Sequence, residues 1–232
     1  MDAIDTETYE GWKDFLLSLR ERGVAGVLCV TSDAHEGLRR TIQEIFPGAS
    51  WQRCVVRLMR NAAGAAPTRQ KRGVILSILK AVFTEHDPAL VRELYHLAVD
   101  KIEEFCPKAA EVLEEAEADA LSYLDFPYEH HRRLRTNNVQ ERANRELKRR
   151  SKVVQVFPSR KSLIRLMGAV FSEMGEEWAD RRWFSDSSIA RTVEGAQVNA
   201  PAPSYSGSAE GHAARIISLV IADNPIPGRK AA

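Results

Sequence analysis

One stretch of this sequence, residues 126–158, combines carboxylates that could hold a metal ion with an unusual density of positive charge. Residues 132–165 contain twelve Arg or Lys and only two acids, Glu141 and Glu146. A surface so one-sided needs an anionic partner, and nucleic acid is the commonest such partner. The sequence therefore predicts a nucleic-acid contact in which a single acid, Glu141, lies among many bases.

The position of Glu141 has two interpretations. Asn138 precedes a run of helix formers and Glu141 follows three residues later, which is the spacing of a capping box at the start of a helix over residues 139–150. In that case Glu141 only stabilises the helix. Alternatively, Glu141 is a metal ligand at a site that cuts phosphodiesters, because it shares a helical face with Arg145 and Lys148, which would hold DNA. Spacing alone favours the capping box.

A second carboxylate, Asp33, presents the same choice. Residues 24–30 are apolar and rich in β-branched side chains, as expected of a strand covered on both faces. Asp33 follows this strand, and open α/β sheets present side chains to ligands at the carboxyl ends of their strands. With Glu36 three residues on, Asp33 also has the spacing of a capping box. The two roles can coexist, since a carboxylate has oxygens enough for a backbone N–H and a metal ion.

Helices and strands around Asp33 follow one another in an order typical of α/β domains. Apolar residues at helical spacing predict a helix over residues 8–22, ended by Gly23, and another after the strand, ended by Pro47. Residues 51–58 are predicted to form a short edge strand, with Cys54 as a small core residue. The order of helix, strand and helix indicates an α/β fold.

The remainder of the chain is predicted to be helical and then irregular. The apolar period is helical throughout residues 68–124, which predicts three helices whose apolar faces form ordinary core. A last helix should follow Pro158, capped by Ser159. Its predicted inward face comprises Leu163, Leu166, Met167, Val170, Phe171, Met174 and Trp178.

Composition predicts a different character for residues 185–232. This tail is rich in Ser, Ala, Gly and Pro, so we expect it to be mostly disordered. Its apolar run, residues 216–222, could be a docking strand, a docking helix or an out-of-frame remnant, and the sequence does not decide among them.

The charge of the chain is balanced overall but strongly segregated. The 232 residues carry a net charge of +1, yet residues 87–125 contain eleven acids against three bases. Such segregation suits a protein that grips a polyanion with one face and keeps another face repelled from it. Three widely spaced cysteines, Cys29, Cys54 and Cys106, suggest a reduced cytosolic protein. The sequence shows neither a signal peptide nor an apolar run of membrane-spanning length.

Two blocks of the sequence resemble a known family. The residues TNNVQERANRELKRRSKVVQVFP are similar to the signature of the Mutator-type transposases of bacterial insertion sequences. VTSDAHEGL, followed by FPGASWQRC, is similar to another block of the same family. The resemblance starts essentially at the N-terminus and fades near Trp183. It departs from the family at Arg57, since the family usually has a Cys-x-x-His pair where this chain has Cys54 and Arg57.

The resemblance implies that both carboxylates are catalytic. The Glu of the E-R pair is the last member of the family's DDE set, which carries over to Glu141, and Asp33 matches the second Asp. A cluster of carboxylates would hold two Mg²⁺ or Mn²⁺ ions, one activating water or a 3′-hydroxyl and the other steadying the leaving oxygen. The resemblance thus favours the metal-ligand interpretation of Glu141 over the capping box, and it supports a metal-binding role for Asp33 beside any role as a cap.

The resemblance also implies a fold and a set of domains. We expect an α/β chain, mostly helical overall, with a partial RNase H-like catalytic core interrupted by an all-helical insertion. Residues 1–62 would form the N-terminal part of the core, 63–125 the insertion, 126–184 the C-terminal part, and 185–232 the tail.

DNA is the implied partner, as the ends of the element and as target. Another copy of the chain or a full-length transposase could pair with it, in the bacterial cytoplasm at the nucleoid and without a membrane. The bases expected to contact DNA are Arg142, Arg145, Lys148, Arg149, Arg150 and Lys152.

The first Asp of the DDE set has no counterpart in the sequence. In the family it lies on a strand upstream of the residue equivalent to Trp12, whereas Asp2 and Asp5 merely precede the first helix. We therefore expect a truncated transposase that does not cut or join DNA alone. The alternatives are a non-catalytic DNA-binding remnant or inhibitor of a full-length transposase, and a helical interaction protein whose basic helix is only a solvated face.

Overall fold

The computed structural model describes residues 7–154, 156–179, 184–195 and 205–226, which are mostly helical and include a small two-stranded sheet. Its contacts divide the chain into two units, Met1–Trp51 with Asn137–Ala190 and Gln52–Thr136 with Arg191–Ala232. The mostly helical character agrees with the sequence. The RNase H-like core and the domain bounds stay predictions, and Asp2, Asp5 and Trp183 lie outside the described residues.

The secondary structure alternates only near the N-terminus and is helical afterwards. In chain order, the elements are α1 (Tyr9–Glu21), β1 (Cys29–Ser32), α2 (Glu36–Ile45), β2 (Ser50–Arg53), α3 (Val55–Gly64), α4 (Arg69–Thr84), α5 (Pro88–Glu103), α6 (Pro107–Glu114), α7 (Glu117–Leu121), a 3₁₀ turn (Ser122–Asp125), α8 (Tyr128–Leu134), α9 (Asn138–Val154), α10 (Arg160–Ala179), α11 (Asp186–Val193) and α12 (Ala209–Asp223). No helix in the described ranges is long and apolar enough to cross a membrane.

Helices α1 and α2 form the first core of the chain, as their apolar spacing predicts. Thr8 caps α1 by accepting a hydrogen bond from the Gly11 N–H at 3.2 Å. The chain leaves α1 through Gly23, whose φ of +95° is readily adopted only by glycine. The buried residues of this core are Leu16, Leu38, Ile42, Ile45, Phe46 and Trp51.

The strands are shorter and less covered than predicted. β1 begins only at Cys29, and Val24 and Leu28 before it are 39% and 38% exposed. The expectation of a strand buried on both faces is therefore wrong. Its physical reason is that β1 pairs only with β2 in the described part of the chain, so no further strand extends the sheet over residues 24–28.

The second predicted strand is correct at its start and wrong at its end. β2 ends at Arg53 and α3 begins at Val55, where the sequence suggested that the strand continues. A short apolar run such as VVRL fits a buried helix as well as a strand, because periodicity cannot separate the two over so few residues.

Helices α9 and α10 pack against each other in the first unit. Ala143 of α9 is buried with Val170 and Met174 of α10, and partly buried apolar side chains surround this cluster. The predicted cap of α10 is confirmed, because the Ser159 hydroxyl oxygen accepts from the Ser162 N–H at 3.2 Å. The apolar side of α9 is therefore packed against α10, which fixes the orientation of the positively charged residues on the rest of α9.

Among the described residues, the largest core lies in the second unit and is built on α3 to α6. Its fully buried large side chains include Leu58, Ile75, Ile78, Leu79, Leu90, Leu94, Tyr95, Ile102 and Leu113. These helices confirm the helical period of residues 68–124. The third predicted helix is, however, divided into α6, α7 and the 3₁₀ turn.

A buried amide connects β2 to the end of α7. The Gln52 side chain is fully buried, and its Nε2 donates to the carbonyls of Arg53 at 2.7 Å and Ala120 at 2.9 Å. Its Oε1 accepts from the Ser122 hydroxyl at 2.9 Å and the Tyr123 N–H at 2.7 Å. Such a fully bonded polar group specifies one arrangement of the segments it joins.

The tail differs from the expectation of disorder in two segments, α11 and α12. Helix α12 packs on α4 and α5, and its Ala213 and Ile217 join the buried core of the second unit. Ser77 of α4 donates to Asn224 Oδ1 at 3.2 Å. The apolar run 216–222 is thus helical. Overall composition suggested disorder, but this local run buries enough apolar surface to order the segment.

Two adjacent histidines in α8, His130 and His131, are buried. His131 Nε2 lies 2.8 Å from the Phe126 carbonyl oxygen and donates to it, and the ring meets that of Tyr123 edge-on. Burial lowers the pKa of both imidazoles, although Glu129 opposes the shift at His130 and the Phe126 carbonyl opposes it at His131. Both rings therefore favour the neutral form.

We expect acid to destabilise this part of the protein. Because the folded pKa lies below the unfolded value of about 6.5, the unfolded chain binds more protons as the pH falls. The stability contributed by the neutral rings is complete above about pH 6.5 and is lost as the pH falls towards the folded pKa. Urea unfolding at pH 7.5, 6.0 and 5.0 measures this effect. His131→Gln should flatten the pH dependence, and an unchanged dependence would contradict it.

Candidate functional site

Asp33 lies between β1 and α2, but it does not cap the helix. The N-cap of α2 is His35, whose Nδ1 accepts from the Leu38 N–H at 3.1 Å. Glu36 is then the first residue of the helix rather than the third. The capping interpretation of Asp33 is therefore wrong, and its exposed side chain can serve another role.

The backbone at Asp33 is anchored from the end of β1. Ser32 is buried; its hydroxyl donates to the Asp33 carbonyl at 2.9 Å and accepts from the indole N–H of Trp51 at 2.7 Å. These two bonds fix the turn that carries the Asp33 side chain. Sequence reasoning missed this support, although a Ser before a strand-end Asp and a Trp in the next strand were visible.

Glu141 lies at the beginning of α9, one residue away from the predicted register. The helix begins at Asn138, and the Asn137 carbonyl accepts from the Glu141 N–H at 2.9 Å. Because the N-cap carbonyl accepts the first bond of a helix, Asn137 occupies the cap and Glu141 is the fourth helical residue. A capping box requires the third, which is Gln140. The predicted box of Asn138 and Glu141 is therefore wrong.

Asp33 and Glu141 belong to the same unit of the structure. Both offer only oxygen atoms, the ligands that Mg²⁺ prefers, and Mg²⁺ often binds one or two carboxylates together with substrate phosphates. Within the ranges that the structure describes, no group of three or more His, Cys, Asp or Glu is placed to hold a metal ion. Asp33 and Glu141 have ligand chemistry suited to such an ion, and their assignment as ligands stays a prediction.

All six bases predicted to contact DNA lie on α9, because this helix continues to Val154. Arg145, Lys148 and Lys152 are exposed and are spaced at i, i+3 and i+7, which places them on one face. Glu141 precedes Arg145 by four residues and shares this face. We call the surface formed by Arg145, Lys148 and Lys152 the basic face.

Two of the six bases, Arg149 and Arg150, are engaged by acids. Glu146 accepts from Arg149 Nη2 at 2.6 Å and from Arg150 Nε at 2.8 Å, and Arg150 Nη2 reaches Glu173 of α10 at 2.7 Å. Hydrogen bonds from Arg149 and then Arg150 lower the pKa of Glu146 to about 2. Sequence reasoning missed Glu173, although it directly precedes Met174 in the predicted inward face of α10.

A cavity of about 380 Å³ lies between α9 and α10. Its volume falls in the lower part of the range of roughly 300–1,000 Å³ that is usual for ligand pockets. Guanidinium groups at its wall can bind an anion through paired N–H donors. The lining residues are Arg142, Arg145, Glu146, Arg150, Glu173 and Met174.

Cys54 and Arg57, where the sequence departs from its resembled family, offer no pair of metal ligands. Cys54 is buried and Arg57 is exposed on α3, which confirms Cys54 as a core residue. Cys29, Cys54 and Cys106 are all free thiols. Burial raises the pKa of Cys29 to about 11, so its thiol is not reactive at neutral pH.

Comparison with known proteins gives a consistent result. A family model described as "Transposase, Mutator family" matches residues 1–181. The transposase for insertion sequence element IS1081 of Mycobacterium tuberculosis is 36% identical over 203 residues, which are 88% of this chain and 49% of that protein. The transposase for IS406 of Burkholderia multivorans is 38% identical over 178 residues, 76% of this chain and 46% of that protein.

A third relative, the transposase for IS256 in transposon Tn4001 of Staphylococcus aureus, is 36% identical over 176 residues. The alignment covers 74% of this chain and 44% of that protein. The chain therefore spans about half the length of the curated relatives it matches.

Proposed function

Because this chain belongs to the Mutator family of transposases, we propose that it binds insertion-element DNA through α9 and contributes Asp33 and Glu141 to a metal-dependent DDE site. One observation carries the assignment of these two carboxylates. The family model covers both acids, and the structure places Asp33 directly after β1 and Glu141 in the first turn of α9, within one unit. The RNase H-like core implied by the resemblance would bring the two carboxylates within several Å of each other.

In this proposal the carboxylate oxygens of Asp33 and Glu141 hold Mg²⁺ or Mn²⁺. A bound ion would polarise the scissile phosphate and activate the attacking water or 3′-hydroxyl. The protein's own contribution is to position the strand: Arg145, Lys148 and Lys152 extend along the helix from Glu141 and neutralise phosphates next to it. The partners are the element ends and the target DNA, with a second copy of the chain or a full-length transposase.

Metal binding tests the assignment of the two carboxylates. We expect Asp33→Asn and Glu141→Gln each to weaken Mn²⁺ binding by about tenfold or more, because affinity for a hard cation depends on the number of charged oxygen ligands. Electron paramagnetic resonance of free Mn²⁺, titrated with the full chain, measures this affinity.

Two acids in the same unit provide matched controls for this experiment. Asp14→Asn in α1 and Glu176→Gln in α10 remove the same charge elsewhere and should leave Mn²⁺ affinity unchanged. Equal affinities of all four variants would refute the assignment. A crystal structure with Mn²⁺ that placed Asp33 and Glu141 on opposite sides of the unit would also refute it.

A further inference from the structure

The cavity between α9 and α10 is lined by residues of opposite charge, and Arg150 is paired with both of the lining glutamates. Arg150 is bonded to Glu146 within its own helix and to Glu173 across the cavity, at 2.8 and 2.7 Å. A guanidinium group presents its N–H donors in a planar fork that matches either a carboxylate or a phosphate. The two glutamates therefore occupy donors that a phosphate would use.

The two glutamates are not equally held. Glu146 is 28% exposed and accepts from two arginines at i+3 and i+4, a local arrangement that α9 itself maintains. Glu173 is 61% exposed, lies on the other helix and contacts Arg150 Nη2 through its Oε2 at 2.7 Å. Exposed ion pairs of this kind contribute little to stability, so Glu173 can be displaced more readily than Glu146.

We propose that this cavity is a phosphate-binding site in which Glu173 occupies the place of a DNA phosphate until DNA displaces it from Arg150. The proposal rests on the DNA-binding function proposed above and adds a residue, Glu173, that sets the affinity. Arg145 connects the two surfaces, because it lines the cavity and also belongs to the basic face. A strand lying on the basic face can thus place a phosphate against Arg145 and Arg150.

Removing Glu173 should change DNA affinity in one direction if Glu173 competes with phosphate and in the other direction if its ion pair is only structural. If the Arg150–Glu173 ion pair only holds α9 to α10, its loss should loosen the helix pair and weaken DNA binding. If Glu173 competes with phosphate, its loss frees Arg150 for DNA and strengthens binding. The sign of the change in affinity separates the two roles.

The experiment compares Glu173→Gln with Glu176→Gln, which removes the same charge one turn further along α10. Binding of the full chain to a duplex carrying the element's ends is followed by fluorescence anisotropy over a series of salt concentrations. We expect Glu173→Gln to bind roughly two- to eightfold more tightly than Glu176→Gln at 0.1 M salt, with a log–log salt slope steeper by about 0.9, the value for one further phosphate. Thermal unfolding of the two variants should coincide.

Three results would overturn the proposal. Equal affinities and slopes of the two variants would show that Glu173 acts only through net charge. Weaker binding by Glu173→Gln, with earlier thermal unfolding, would show that the ion pair is structural. Absence of salt-dependent DNA binding by the wild-type chain would overturn both this proposal and the proposed function, whereas the first two results leave the proposed function intact.

Two further measurements test the role of the Arg150 guanidinium group and the source of the phosphate. Arg150→Lys keeps the charge but removes the planar fork, so it should cancel the gain when combined with Glu173→Gln. Replacing chloride by inorganic phosphate at equal ionic strength identifies the source of the ligand. Competition against DNA that appears only in Glu173→Gln would support the site and extend it to free phosphate, and a lack of competition would restrict it to DNA phosphate.

Discussion

Replacing both Arg145 and Lys148 by Ala is expected to weaken duplex DNA binding by about 60-fold at 0.1 M salt. Each phosphate contact contributes about 0.9 to the log–log salt slope, so two contacts account for about 1.8 logarithmic units between 1 M and 0.1 M salt. These residues are suited to the test because they lie on the exposed basic face, whereas Arg149 and Arg150 are bonded to Glu146. Anisotropy titrations between 0.05 and 0.4 M salt measure both affinity and slope.

A matched pair of lysines controls for the loss of net charge. Lys80→Ala with Lys108→Ala removes two exposed charges from α4 and α6, in the second unit, and should change the slope little. An unchanged slope after replacement of Arg145 and Lys148 would mean that the basic face points away from DNA. Equal losses in both double variants would indicate a response to net charge only.

Ile217→Ala is expected to lower the free energy of unfolding by about 2–5 kcal/mol, the usual cost of truncating a large buried aliphatic side chain. Ile217 is 3% exposed and belongs to the core shared by α12 and the helices of the second unit. The lost transfer free energy and the remaining cavity both contribute to this cost. Urea unfolding followed by far-ultraviolet circular dichroism measures it.

An exposed residue of the same helix provides the control. Leu219 is 59% exposed, so Leu219→Ala should change stability by no more than about 0.5 kcal/mol. Circular dichroism is used because α12 contains no tryptophan. Equal effects of the two substitutions would mean that α12 does not pack on α4 and α5 in solution.

Local patterns predicted much of the helical structure correctly. The spacing of Leu38, Ile42 and Ile45 gave the buried face of α2, and Ser159 gave the cap of α10. These features succeed because the period of 3.6 residues and the capping bond involve residues only three or four positions apart. The same reasoning failed for Val55, since a short apolar run has no distinct period.

The candidate site was predicted by residue type rather than by geometry. The sequence placed five of the six bases on one helix and Lys152 just beyond its end, and the structure extends α9 to Val154 so that the helix includes Lys152 as well. The predicted N-caps, Asp33 and Asn138, were each wrong by one or two residues, because the helices begin after His35 and Asn137. Several neighbouring residues can serve as an N-cap, and the backbone conformation determines which one does. Sequence could not find the contact between Arg150 and Glu173, because it depends on how two helices pack.

The sequence by itself determined the family, the charged helix and the apolar faces, since each is written in a contiguous or periodic set of residues. Only the tertiary structure decided which acids form ion pairs and which residues near β1 are buried. It also decided that the tail contains a packed helix. The hydrogen bond from Ser77 to Asn224 joins residues 147 positions apart, and no local pattern encodes such a partner. Long-range packing decided that α12 is ordered. Burial against α4 and α5 offsets the conformational entropy lost when the helix forms, whereas the composition of the tail alone suggested disorder.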